Sequence, residues 1–148
     1  MFRSTLDTPR LAACLLLLAS LAGPVLTHAA EPLPLAIQGY DPVAYFTMSN
    51  SVPGLAELEY EWDEQRYWFA KPEHLARFKA SPGTYAPRFG NLCAMALAEG
   101  QIKPADPRYW LISNGQLYLF GAPEGPQRFL NDLAGALSRA ERNAPRER

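Results

Sequence analysis

The run Tyr109-Trp110-Leu111-Ile112-Ser113-Asn114-Gly115-Gln116-Leu117-Tyr118-Leu119-Phe120 decides the fold class. It sets aromatic, aliphatic and β-branched residues on either side of an Asn-Gly pair. A two-residue type I′ turn needs positive φ at both central positions, which Asn and Gly adopt at least cost, so the run predicts a β-hairpin. Before it lies a proline-marked loop, Lys103-Pro104-Ala105-Asp106-Pro107. After it, Gln127 to Asn143 predicts one amphipathic helix. Phe129, Leu133, Leu137 and Ala140 form its inner stripe, and Arg128, Asp132, Arg139 and Glu141 face water. Residues 144–148 read as a frayed tail.

A second hairpin stands further upstream. Leu58 to Trp62 alternates apolar residues with Glu59 and Glu61, Asp63-Glu64-Gln65 turns the chain, and Arg66 to Ala70 returns. Pro72 opens a helix to Ala80, with Leu75 and Phe78 inward, His74 at the edge of the apolar stripe and Lys71 a poor cap. Leu35-Ala36-Ile37 reads as an edge strand. Asp41-Pro42 reads as the N-cap and first residue of a short helical turn that docks Val43 and Phe46. Asp41 is also a ligand or base by residue type, but the cap accounts for it. Two hairpins and about three helices, without βαβ alternation, predict an α+β domain: a small antiparallel sheet with helices packed on it. No internal repeat is expected.

Between these units lies Tyr85 to Gly100. Pro87 disfavours helix at Ala86, Gly90 permits a sharp turn, and Asn91 is a good N-cap, so Leu92 and Cys93 are expected as the first two helical residues and Gly100 as the stop. A thiol at a helix N-terminus is placed to be reactive or to ligate a soft metal. Its neighbours Leu92, Ala94, Met95, Ala96 and Leu97 equally suit a buried cysteine acting as a small hydrophobe.

The chain has 148 residues, a net charge of −1 at pH 7 and scattered Lys and Arg, with no basic stripe to argue for nucleic acid. Arg3 and Arg10, the apolar run Leu11 to Gly23, Pro24 and the small residues before Glu31 form a secretory signal peptide, residues 1–30, cleaved after Ala29 or Ala30. The run is too short for a stable membrane span. The expected compartment is periplasmic or secreted. Cleavage removes Cys14 and His28. The remaining single domain, 31–148, keeps one cysteine, Cys93, and one histidine, His74, and so has no internal disulfide.

Gly39-Tyr40-Asp41-Pro42-Val43-Ala44-Tyr45-Phe46, Tyr67-Trp68-Phe69-Ala70, Phe78, Pro82, Tyr85-Ala86-Pro87, Gly90-Asn91-Leu92-Cys93-Ala94, Asp106-Pro107, Trp110 and Asn114-Gly115-Gln116-Leu117-Tyr118-Leu119 together resemble the exported bacterial YHS-domain proteins. The resemblance covers nearly all of the chain after residue 30 and implies metal binding, with copper the candidate. Related domains in heavy-metal-transporting ATPases carry cysteines where this chain has Ala44, Ala70 and His74. Cys93 matches the cysteine of the long exported members.

Three functions follow as expectations. The first is a non-enzymatic exported module holding copper through Cys93 and His74, with Met48 or Met95 as a thioether partner; Cu(I) accepts such a low-coordinate soft set. The second is a metal-free structural or binding module that presents aromatic residues, Tyr40, Tyr45 and Trp62 among them, to another periplasmic protein or a small ligand. The third is a thiol enzyme using Cys93 as nucleophile, which needs His74 within hydrogen-bond reach as base.

Overall fold

The computed structural model describes residues 31–145. The signal-peptide assignment and the last three residues of the expected tail lie outside that range. The elements in chain order are α1 (Ala44–Thr47), β1 (Leu55–Trp62), β2 (Gln65–Phe69), α2 (Pro72–Ala80), α3 (Pro82–Tyr85), α4 (Ala94–Ala98), β3 (Asp106–Ser113), β4 (Gln116–Phe120), α5 (Gly125–Leu130) and α6 (Leu133–Asn143). The fold is α+β, as expected, but the hairpins β1–β2 and β3–β4 form two separate two-stranded antiparallel sheets, and six α-helical segments replace the expected three or so. None of the described helices is long and apolar enough to cross a membrane.

Both hairpins turn through two residues with positive φ: Asp63 and Glu64 in the first, Asn114 and Gly115 in the second. Gln65 is therefore not part of the turn but pairs with Trp62. The expected terminal helix is broken at Asn131 and Asp132 into α5 and α6. The expected edge strand at 35–37 is a single parallel bridge, Leu35 to Arg66, followed by a left-handed turn in which Ile37, Gln38 and Gly39 all have positive φ. Such a conformation costs a non-glycine residue about 1–2 kcal/mol. It is held by the Asn91 side chain, whose Oδ1 accepts the Ile37 N–H at 2.6 Å, and by Gln38 Nε2 donating to the Ala105 carbonyl at 3.1 Å.

The backbone contains an internal repeat, against the expectation of none. In the hairpins, Leu55 pairs with Phe69 and Trp62 with Gln65; 51 positions later Asp106 pairs with Phe120 and Ser113 with Gln116, and both hairpins show the same register shift at the open end. The match extends upstream, one position further out. Leu35 to Arg66 recurs as the parallel bridge Pro87 to Leu117, and Tyr40 to Pro53 as the antiparallel bridge Leu92 to Pro104. The bond from Asp41 N to Val52 O recurs from Cys93 N to Lys103 O, and that from Gly54 N to Gly39 O recurs from Ala105 N to Asn91 O. Each half closes its own core on equivalent aromatics. Phe78 packs on Tyr67 and Phe69 in the first; Phe129 packs on Tyr118 and Phe120 in the second. Burying each such ring stabilises the fold by about 1.5–3 kcal/mol. The sequence carries the repeat too: Gln65, Tyr67, Phe69, Pro72, Glu73, Arg77 and Phe78 recur 51 positions later as Gln116, Tyr118, Phe120, Pro123, Glu124, Arg128 and Phe129, while few positions outside that stretch match.

Candidate functional site

Asp41 is fully buried, and four donors converge on it. Its Oδ1 accepts the N–H groups of Val43 at 2.8 Å and Ala44 at 3.3 Å in the manner of the expected cap, although α1 begins at Ala44, with Val43 at its N-cap position, and not at Pro42. The cap is only half of its role. Oδ2 accepts the Ala70 N–H at 2.8 Å and lies 2.6 Å from His74 Nδ1. His74 is not at a solvated edge but 5% exposed. Its Nε2 lies 3.0 Å from the hydroxyl of Thr47, which also reaches the Val43 carbonyl at 3.1 Å. Both ring nitrogens are thus engaged, and the pair clamps α1 to the β2–α2 junction. Ala44, and Ala70 with His74 about thirty positions further on, meet at this one carboxylate.

Cys93 occupies the position equivalent to Asp41. It is the N-cap of α4 rather than its second residue: its Sγ accepts the Ala96 N–H at 3.4 Å, as Asp41 accepts that of Ala44. Asn91 does not cap; its side chain is drawn to Ile37 and to Gln65. Gly100 ends the helix with φ 76°, as expected. Gly121, equivalent to Ala70, sits beside the thiol, so that a Cβ there would lie 3.8 Å from the sulfur. The position equivalent to His74 is Gly125, where any Cβ would stand 2.6 Å from the Phe120 Cβ. The thiol therefore has no imidazole facing it in its own half. It packs in the cluster of Leu97, Phe120 and Phe129, and it shares no hydrogen bond with His74. Met95 is half-buried beside that cluster and Met48 is exposed. Among the described residues no three His, Cys, Asp or Glu side chains are grouped to hold a metal ion.

A second feature was missed by sequence reasoning. A groove of about 1030 Å³ runs between the first hairpin's turn (Trp62 to Gln65) and the 86–92 segment. Tyr67, Phe89, Asn91 and Gln116 also line it. Tyr67 is 2% exposed, and burial, with the Asp63 carboxylate adding to it, raises its phenol well above the usual range, so the hydroxyl keeps its proton. The legible signal was Asp-Glu at a two-residue turn that favours Asn-Gly. Of the aromatics expected at a surface, Trp62 is half-buried and lines this groove. Tyr45 is buried instead, its hydroxyl donating to the Pro107 carbonyl at 2.8 Å.

Compared with known proteins, the chain matches no family model, no curated protein and no solved structure.

Proposed function

We propose that the chain is an exported, non-enzymatic module of the YHS-domain type that works without a resident metal, as a binding or structural unit. One observation carries this: both candidate ligands are spent inside the fold, His74 between Asp41 and Thr47, and Cys93 as the cap of α4. His74 could reach copper only through Nε2, by giving up the Thr47 hydroxyl while Asp41 still holds Nδ1, and among the described residues no group of three His, Cys, Asp or Glu side chains stands there to share the ion. The sulfur would have to give up its cap as well.

The meeting of Ala44, Ala70 and His74 at Asp41 supports the family assignment. These are the three positions where the resemblance places thiols in the ATPase-linked relatives. Here two alanines and an Asp–His pair fill that space. The same geometry disfavours thiol catalysis, since a nucleophilic cysteine needs a base in reach and the single imidazole of the described chain is held by Asp41.

The test is an anaerobic titration of the purified protein with Cu(I), together with melting curves in added Cu(I) and Zn(II). The expected result is no tight stoichiometric uptake and an unchanged melting temperature. Tight one-to-one uptake that Cys93→Ala abolishes overturns the metal-free reading.

A further inference from the structure

The groove beside the first hairpin carries more than shape. Tyr67 is wedged against Trp62 and Phe78 and is almost wholly buried, yet its hydroxyl has no hydrogen-bond partner among the described residues. No fully buried side-chain N or O atom of the described residues lacks a partner, so the hydroxyl is the part of Tyr67 that opens into the groove it lines. A buried donor is ordinarily paired, and one aimed into a groove marks where a ligand acceptor fits. At the rim, Asp63 and Glu64 are exposed and make no ion pair among the described residues. The cation on the opposite wall, Arg88, is already paired with Glu141 at 2.9 Å. The charge left uncompensated is therefore negative. Gln116 adds a side-chain amide, and Gln65, whose Oε1 accepts from Asn91, adds its Nε2 donor; such groups pair with the donors and acceptors of a peptide backbone. The volume exceeds what a single small ion needs and reaches the upper end of ligand pockets, about 1,000 Å³.

We propose that this groove is a peptide-binding site that takes an extended segment carrying a lysine or arginine, its cation against Asp63 and Glu64 and one of its carbonyls accepting from the Tyr67 hydroxyl. The site is the binding surface of the metal-free module described above and rests on that reading. Trp62 and Phe89 supply the apolar walls for the segment's flanking side chains.

The experiment is an NMR titration of the isotope-labelled protein at low ionic strength. The probes are acetyl-Ala-Ala-Lys-Ala-Ala-amide, its Glu counterpart, and spermidine as a bare polycation. The lysine peptide is expected to shift the backbone amides of 63–65 and 90–92 saturably, and the glutamate peptide to leave them in place. Tyr67→Phe is expected to weaken the lysine peptide about three- to tenfold, the worth of one hydrogen bond. The double variant Asp63→Asn, Glu64→Gly installs the other hairpin's turn, so it keeps the fold while removing both carboxylates, and it is expected to abolish the shifts. Four results overturn the proposal: no saturable shift, equal shifts from the glutamate peptide, equal shifts from spermidine, or wild-type affinity in Tyr67→Phe. Copper uptake reads Cys93 and not the groove. A silent groove without copper uptake sinks the peptide site alone, whereas tight uptake sinks the metal-free module.

Discussion

Residues 35–78 and 87–129 follow one backbone plan and close it with different chemistry. At the cap, the first half uses Asp41 and the second uses Cys93, each at the same place in the bridge and turn pattern. Opposite the cap, the first half has His74 and the second has Gly125. At the hairpin turn, the first half forces Asp63 and Glu64 into positive φ while the second uses Asn114 and Gly115. The second half shows that the plan closes without a buried carboxylate–imidazole pair and without charged residues in a strained turn. The Asp41–His74 pair and the acidic turn are thus not demanded by the backbone path, and local rules broken without structural need point to function or specificity.

The largest test of this contrast is at the caps. Asp41→Ala leaves His74 and several backbone N–H groups without their acceptor and is expected to cost about 3–5 kcal/mol in urea unfolding. Cys93→Ala removes a weak sulfur cap and the packing of one buried sulfur, and is expected to cost about 1–2 kcal/mol. Equal losses would break the distinction between a charged clamp and a bare cap. Next comes the facing position. Gly125→Ala drives a methyl into Phe120 and is expected to lower stability by about 1–3 kcal/mol, the usual range for overpacking. A neutral result would mean that the second half has room for a partner to Cys93 after all.

The turns give a smaller effect with opposite signs. Asp63→Asn with Glu64→Gly is expected to stabilise by about 1 kcal/mol, and Gly115→Glu to destabilise by a similar amount, read as shifts in urea midpoint. The smallest effect concerns Asp106, whose counterpart Leu55 has no charge to titrate. Side-chain and backbone hydrogen bonds from Arg108 hold the Asp106 carboxyl below the ordinary carboxylate range. A depressed folded pKa gives stability that is present above the unfolded value and lost as pH falls through the folded one. Arg108→Ala is therefore expected to raise the Asp106 titration midpoint in a carboxyl-detected NMR series and to flatten that acid loss. An unchanged midpoint would remove Arg108 as its cause.

Local chemistry made much of the fold legible. Asn114-Gly115 fixed one hairpin, Pro72 fixed the start of α2, Gly100 fixed the end of α4, and the spacing of Phe78 and Phe129 marked the inner faces. These signals act within a few residues, where φ preferences and side-chain periodicity decide the outcome. The candidate site was less legible. Asp41 was readable as a cap through its sequence neighbours Val43 and Ala44, but its other oxygen is claimed by Ala70 and His74, about thirty positions away. Asn91 has the local credentials of a cap and is taken by Ile37, 54 positions off.

By itself, then, the chain of residues determined an α+β class, two hairpins, both ends of α2, the stop of α4 and the end of α6, because turn strain and amphipathic spacing are local energies. The tertiary structure showed that the pattern shared by 65–78 and 116–129 belongs to one backbone plan used twice. It alone decided that His74 is committed to Asp41 and not to Cys93, and that Tyr67 brings an unpaired hydroxyl to a groove rimmed by Asp63 and Glu64. The reason is that a buried polar group goes to whichever partner the packing brings within about 3 Å, and that choice is made between residues the sequence keeps far apart.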